Sequence, residues 1–263
     1  MLIEQIWTNN PWRNFNYLIA CPKSKQALAI DPLNYQQCLD VAKSHGWTIT
    51  KVLNTHEHHD HIEGNKPSIE ETEATLLAHQ AAQDVISGVD VALKGGEVVE
   101  VGETVQLRVL DTPGHTMSHI CLLSKTQPPV LFSGDTLFNA GAGNCHSGGH
   151  PEALFTTFSM VLSKLPDDTQ VYPGHDYIVN NLQFTLDREP SNKAASSLLE
   201  QVIKQDTNNP AVTTIGLEKQ INCFLRLNNP EIINNLKNTM PDFPDKPCEK
   251  DIFIALRTLR NNW

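Results

Sequence analysis

Seven consecutive residues, Thr55-His56-Glu57-His58-His59-Asp60-His61, hold four histidines and two carboxylates. Imidazole nitrogens and carboxylate oxygens are ligands that zinc, iron and manganese accept. Crowding so many titratable groups without a counter-cation is costly. The helical zinc-protease motif does not fit, because it needs a second histidine where Asp60 stands. The preceding run Thr48 to Asn54 alternates and is rich in β-branched residues, which predicts a strand giving way to a loop at position 55. On extended backbone His56 and His58 project the same way. Asp60 and His61 follow where the chain turns. The stretch reads as two ligand sets side by side.

Three later residues complete the sets. His115 follows Asp111-Thr112-Pro113-Gly114, Asp135 follows Ser133-Gly134, and His175 follows Tyr172-Pro173-Gly174. Each stands one turn beyond an apolar segment of strand character, and Gly or Pro sets the turn. Strand ends meeting at one sheet edge would gather them. One metal is expected on His56, His58 and His115, and a second on Asp60, His61 and His175, with Asp135 bridging. Open coordination positions then remain for water, and two cations about 3.5–4 Å apart form a hydrolytic arrangement. His119 is read as a neighbour of the site. His45, His79 and His150 are read as ordinary polar residues.

The elements that must position these groups follow from periodicity and turn residues. Strands are expected at Leu2 to Trp7, Phe15 to Ala20, Gln26 to Ile30, Thr75 to Ala78, Val98 to Val101, Val105 to Leu110, Ile120 to Ser124, Val130 to Phe132 and Gln170 to Tyr172. Helices are expected at Tyr35 to His45, Ser68 to Glu73 and Pro151 to Leu165. Asp31-Pro32 reads as a strand stop. Beyond residue 178 strand signals fade, and helices are expected at Leu182 to Glu189, Asn192 to Gln205, Leu217 to Leu227, Pro230 to Asn238 and Glu249 to Arg260. The class is α+β, with a mixed region at 1–177 and a smaller all-α region at 178–263.

Composition narrows the partners. A formal charge of −10 and a pI near 5.5 argue against nucleic acid and anionic membrane surfaces. No apolar stretch approaches the roughly 20 residues of a membrane helix, and the first residues lack a signal-peptide pattern. The six cysteines include no Cys-x-x-Cys pair and read as free thiols, with Cys38, Cys121 and Cys223 as core fillers. A cytoplasmic monomer acting on a small molecule is expected.

Thr55-His56-x-His58-x-Asp60-His61 with His115, Asp135 and His175 resembles the metallo-β-lactamase superfamily. The resemblance implies an αβ/βα sandwich with a dinuclear site at one edge. Within it the chain is similar to the glyoxalase II (hydroxyacylglutathione hydrolase) family along nearly its whole length. The closer signatures are Thr112-Pro113-Gly114-His115-Thr116, Gly134-Asp135-Thr136-Leu137-Phe138, Pro173-Gly174-His175-Asp176-Tyr177, Phe224-Leu225-Arg226 and Arg257-x-x-Arg260. The chemistry implied is hydrolysis of a glutathione thioester such as S-lactoylglutathione by a hydroxide bridging two divalent ions, zinc first, with iron or manganese compatible. Asp60 and Asp135 would orient the hydroxide and fix the metal spacing. The resemblance further implies that Tyr177, Arg257 and Arg260 bind glutathione, together with the loop carrying Asn144 and His146. Asn144 stands where a lysine or arginine is usual and His146 where an aromatic is usual. That departure implies weaker glutathione binding or a different thiol carrier. A persulfide dioxygenase-like enzyme with one iron, or a hydrolase of another thioester, is the alternative.

Overall fold

A computed structural model describes residues 1–206 and 209–263. The opening strands β1 (Leu2–Trp7), β2 (Phe15–Ala20) and β3 (Gln26–Ile30) form an antiparallel meander. Helix α1 (Tyr35–His45) starts where the Asn34 side chain accepts from the Gln37 amide, and ends at Gly46, whose φ of 66° is left-handed. β4 (Thr48–Leu53) then runs parallel to β3. The short helices α2 (His59–Ile62) and α3 (Asn65–Thr72) precede β5 (Thr75–His79) and β6 (Val91–Leu93), which complete a six-stranded sheet in sequential order.

The second half of the sandwich comes from β7 (Val98–Val101), β8 (Val105–Asp111), β9 (Ile120–Ser124) and β10 (Val130–Gly134), followed by the small hairpin β11 (Leu137–Phe138) and β12 (Gly141–Ala142). Helix α4 (Pro151–Met160) leads to β13 (Gln170–Pro173), parallel to β10. Helices α5 (Ile178–Arg188) and α6 (Lys193–Val202), strand β14 (Thr213–Thr214), and helices α7 (Ile215–Ile221), α8 (Pro230–Thr239) and α9 (Glu249–Asn261) finish the chain. The second sheet has the order β14-β13-β10-β9-β8-β7.

Side-chain alternation builds the layers. Tyr17 and Ile19 of β2, with Leu28 and Ile30 of β3, point between the sheets to meet Leu107, Val109, Leu122 and Phe132. Their neighbours Leu18, Ala20, Ala27 and Ala29 point the other way, against Cys38 and Ala42 of α1. Leu131 and Val171 on the outer face of the second sheet pack against Phe158 of α4, Phe253 of α9, and Phe224 of the 3₁₀ turn Cys223–Leu225. Both sheets are thus covered on both faces, which gives the αβ/βα sandwich followed by a helical region.

The departures from expectation are local. Residues 59–62 form a helical turn rather than a loop, and α5 begins four residues before the expected Leu182, at Ile178. The helix expected through Leu227 ends at Ile221 and gives way to a 3₁₀ turn, Cys223–Leu225. The helix expected through Leu165 likewise ends at Met160. β6, β11, β12 and β14 were not expected. The last three are two residues long and too short to show a period. The outer part of the helix expected to Gln205 is absent, since α6 ends at Val202. All six cysteines are free. Cys38, Cys121 and Cys223 are buried, and burial pushes each thiol up to about 12.

Glu218 of α7 is buried and ties the hairpin to the helical region. Its carboxylate accepts from the Ala140 amide, the Thr213 hydroxyl and the Asn222 amide. Burial outweighs these bonds and raises its pKa to about 7 from 4.5. The unfolded chain releases this proton first, so the stability that the group contributes falls as pH rises between those values and is level above them. Glu218→Gln is expected to abolish that slope. Urea midpoints of parent and variant, compared between about pH 4.5 and 8, check it.

Candidate metal centre

All seven residues expected at the centre come together at one edge of the sandwich. His56 and His58 follow β4, Asp60 and His61 lie on α2, and His115, Asp135 and His175 follow β8, β10 and β13. His58 Nδ1 lies 3.1 Å from His56 Nε2 and 2.9 Å from His115 Nε2. His61 Nε2 lies 3.2 Å from His175 Nε2. Asp60 Oδ2 stands 3.6 Å from His61 Nε2 and 3.4 Å from His175 Nε2. Asp135 faces both groups. Its Oδ2 is 3.1 Å from His175 and 3.6 Å from His115, and its Oδ1 is 3.4 Å from His61. Gly174 makes this possible, since a Cβ there would lie 2.2 Å from Asp135 Oδ1.

The outer nitrogens decide what the inner ones carry. His115 Nδ1 donates to the Asn144 carbonyl at 2.7 Å and His58 Nε2 to the Ser147 carbonyl at 2.8 Å. The Thr55 hydroxyl donates to Asp31 Oδ2, so it accepts from His56 Nδ1 at 3.0 Å. These partners are acceptors and fix the tautomers. His56 Nε2, His58 Nδ1 and His115 Nε2 therefore turn three lone pairs on one another. His175 Nδ1 donates to the Trp12 carbonyl and His61 Nδ1 to Asp31 Oδ2, giving the second group the same polarity. Asp135 Oδ1 is buried with no hydrogen-bond partner. Converging lone pairs with an orphaned carboxylate oxygen are the donor set of a cation site. The groups His56-His58-His115 and Asp60-His61-His175 each have geometry that could hold an ion. A third grouping, Asp31-His56-His61, draws on Asp31, whose two oxygens already accept hydrogen bonds.

Electrostatics agree. Burial, reinforced by neighbouring histidines, holds His56 well below its ordinary pKa, and burial lowers His115 to about 4 despite Asp135. Both rings stay neutral, as ligands must. Burial also works against charge on His61, yet Asp135 and Asp31 outweigh it and raise it to about 9. A metal would displace that proton. Burial opposes charge on Asp135 as well, but His175 and His61 hold its carboxyl far below the usual range.

Several supports escaped the sequence reading. Asp31 has a left-handed φ of 48° and gathers the Thr55 amide, the Thr55 hydroxyl and His61. Its place before Pro32 signalled only the end of a strand. Glu57 accepts from Thr116 and Ser118 and so braces the His115 loop. Asn14 donates to Asp60, and nothing in its local sequence marks it. His119 Nε2 accepts from the Asp135 amide at 3.0 Å, so this ring orients the site without facing it.

Asn144, His146, Tyr177, Arg257 and Arg260 line one cleft of about 220 Å³. The Tyr177 ring stacks on His175 at 4.9 Å and 6°, which joins the cleft to the centre. Arg257 is 4% exposed, and its Nη1 donates to the carbonyls of Ala142 and Gly143. Arg260 is half-buried and donates to Asn181 Oδ1. Asn144 Oδ1 accepts from the His146 amide. A larger groove of about 460 Å³ beside Phe158 and Phe224 lies elsewhere, and two of its three cations, Lys219 and Arg226, are paired with Asp167 and Glu189.

This edge of histidines and aspartates on an αβ/βα sandwich defines the metallo-β-lactamase class, and residues 17–175 match the family described as the metallo-beta-lactamase superfamily. Residues 176–263 match the hydroxyacylglutathione hydrolase C-terminus. Relatives from Nitrosococcus oceani and Polaromonas sp., both named hydroxyacylglutathione hydrolase, are each 58% identical over 100% of this chain and 100% of their own. The chain belongs to the hydroxyacylglutathione hydrolase family and is a hydrolase. Among solved structures, ETHE1 from Myxococcus xanthus superposes with a TM-score of 0.69 at 28% identity, covering 99% of this chain and 98% of that one. A Staphylococcus aureus metallo-beta-lactamase shares the fold, with a TM-score of 0.66 at 24% identity, covering 99% and 71%.

Ion binding is expected to stabilise the folded chain, because the unfolded chain cannot assemble the donors. Zinc added to chelator-treated protein should raise the thermal midpoint with concentration. Asp135→Ala, which removes the carboxylate facing both groups, should flatten that rise. Differential scanning calorimetry with metal analysis checks both.

Proposed function

We propose that the protein hydrolyses a glutathione thioester of the S-lactoylglutathione type to glutathione and a hydroxy acid. The observation that carries this reading is the cleft with Arg257 and Arg260 opening beside His175. Glutathione bears two carboxylates, and guanidinium groups suit them. Among the residues lining that cleft no carboxylate opposes the arginines. The relatives' name and the match of the helical region support the same substrate. The reading divides the chain into a catalytic region at 1–177 and a substrate-binding helical region at 178–263. It also takes the protein as a cytoplasmic monomer using two divalent ions, zinc first.

In this reading His56, His58 and His115 would hold one ion and Asp60, His61 and His175 the other, with the Asp135 carboxylate facing both groups. Such ions polarise a carbonyl and make water a nucleophile at neutral pH. The protein's own groups orient the substrate. Arg260 and the free side of Arg257 fix the glutathione end, and Tyr177 walls the passage to His175. The Tyr177 hydroxyl is donated to the Trp12 carbonyl, and burial raises its pKa, so it holds its proton. No acid is needed at the leaving group, because a thiol with pKa near 8.5 departs readily as thiolate. Asn144, uncharged at the mouth, leaves the arginines as the cations of the cleft.

The deciding experiment is a panel of acyl thioesters assayed for thiol release, with metal content and oxygen uptake measured in parallel. Loss of lactoylglutathione with an equivalent of thiol supports the reading. Two bound ions with no hydrolysis rejects it, and oxygen uptake with one iron points to the dioxygenase. Arg260→Ala is expected to raise KM about tenfold or more with kcat little changed, since a charge-assisted bond contributes about 1.5–3 kcal/mol. Arg257→Ala is expected to lower kcat as well, because it releases the Ala142 and Gly143 carbonyls.

A further inference from the structure

The turn from Asn10 to Asn14 lies between β1 and β2, far in sequence from every residue of the metal centre, yet it touches one half of that centre repeatedly. Asn14 is 1% exposed. Its Nδ2 donates to Asp60 Oδ2 at 3.0 Å and to the Asp60 carbonyl at 3.2 Å. Its Oδ1 accepts from Asn10 Nδ2 at 2.8 Å, and its own amide donates to Asn10 Oδ1 at 3.2 Å. The orientation of the amide follows, since both Asp60 atoms facing it are acceptors. Asp60 Oδ2 is also the atom turned toward His61 and His175. A carboxylate oxygen has two lone-pair directions. Asn14 takes one and leaves the other aimed at the histidines. Without that bond a side chain that is 22% exposed could swing toward water.

The same turn holds His175. The Trp12 carbonyl accepts from His175 Nδ1 at 2.7 Å and from the Tyr177 hydroxyl at 2.9 Å. Asn14 and His175 form an antiparallel bridge. The Phe15 amide donates to the Gly174 carbonyl and the Asp176 amide to the Arg13 carbonyl. Outside these, Arg13 clamps Asp176 through its carbonyl at 2.7 Å and its carboxylate at 2.5 Å. His56, His58 and His115 take nothing from this turn; their outer partners are Thr55, Ser147 and Asn144.

We propose that Asn14 is a positioning residue for Asp60, and that the Asn10–Asn14 turn sets the Asp60-His61-His175 half of the metal centre independently of the other half. The proposal rests on reading those three residues as ligands. It predicts a selective defect, because a loosened turn deprives one ion of two prepared ligands and leaves the other ion's shell intact.

Two variants test it. Asn14→Asp keeps the shape and replaces the donated hydrogen with a second negative charge against Asp60. Arg13→Gly removes the clamp on Asp176, and glycine suits the φ of 62° at that position. Metal-free protein is titrated with zinc, and its cobalt form is followed by absorption spectroscopy, alongside circular dichroism for folding. The parent should bind two ions. Asn14→Asp should bind one with parental affinity and the other about 10–100-fold more weakly, the range for loss of a ligand's hydrogen-bond partner. Arg13→Gly should show the same selective weakening to a lesser degree. In both, kcat should fall with KM little changed and recover as zinc is raised. A folded Asn14→Asp protein with two parental affinities, or with both weakened alike, overturns the proposal. If Asn14→Asp does not fold, parental affinity for both ions in Arg13→Gly overturns it. A parent that binds fewer than two ions removes the ligand assignment and this proposal together. A parent that binds two ions but hydrolyses no thioester leaves this proposal standing and ends only the assignment of substrate.

Discussion

Five imidazole rings converge with their proton-bearing nitrogens turned outward, and most of the architecture at this edge serves to keep them so. Each outer nitrogen meets an acceptor that cannot donate back: the carbonyls of Trp12, Asn144 and Ser147, the carboxylate of Asp31, and a Thr55 hydroxyl whose proton is already committed. Every ring is anchored from behind by backbone or by a side chain itself hydrogen-bonded, which fixes its tautomer and orientation. The two-sheet core beneath is apolar and closely interleaved.

The arrangement also explains which parts of the centre could be read from the chain. Candidate ligands sit just past strand ends, and a strand of alternating residues followed by Gly or Pro is visible without coordinates. His115, Asp135 and His175 carry that mark, whereas His56, His58, Asp60 and His61 show as a dense cluster just past the alternating run Thr48 to Asn54, and all seven are brought within reach of one another. The residues behind them carry none. Trp12, Asn144 and Ser147 act through backbone carbonyls, which any residue possesses, so their identity says nothing. Asn14 and Asp31 act through side chains, but their neighbours are 46 and 30 positions away, at Asp60 and His61. Only the pairing of β2 and β3 with the rest of the sheet brings them in.

A similar division holds for the fold. Layers were legible wherever an element was long enough to show a period, as in β2, β3, β8 and the helices α1, α8 and α9. Elements of two residues were not. β14 owes its existence to β13 beside it, and β11 and β12 to a turn at Ala140 whose φ of 58° is held by Glu218 from α7. These are tertiary effects, written in contacts between distant segments. The cleft shows the same thing: its arginines were nameable from sequence, whereas the burial of Arg257 beneath the carbonyls of Ala142 and Gly143 was not.

That guanidinium has a wider meaning. From α9, near the end of the chain, it grips the start of the loop between β12 and α4, whose Asn144 and Ser147 carbonyls grip His115 and His58 in turn. The helical region is therefore wired to His115 and His58 by a linkage of four hydrogen bonds. Grafting a foreign helical segment onto this sandwich would retune the metal pocket along with the substrate it admits.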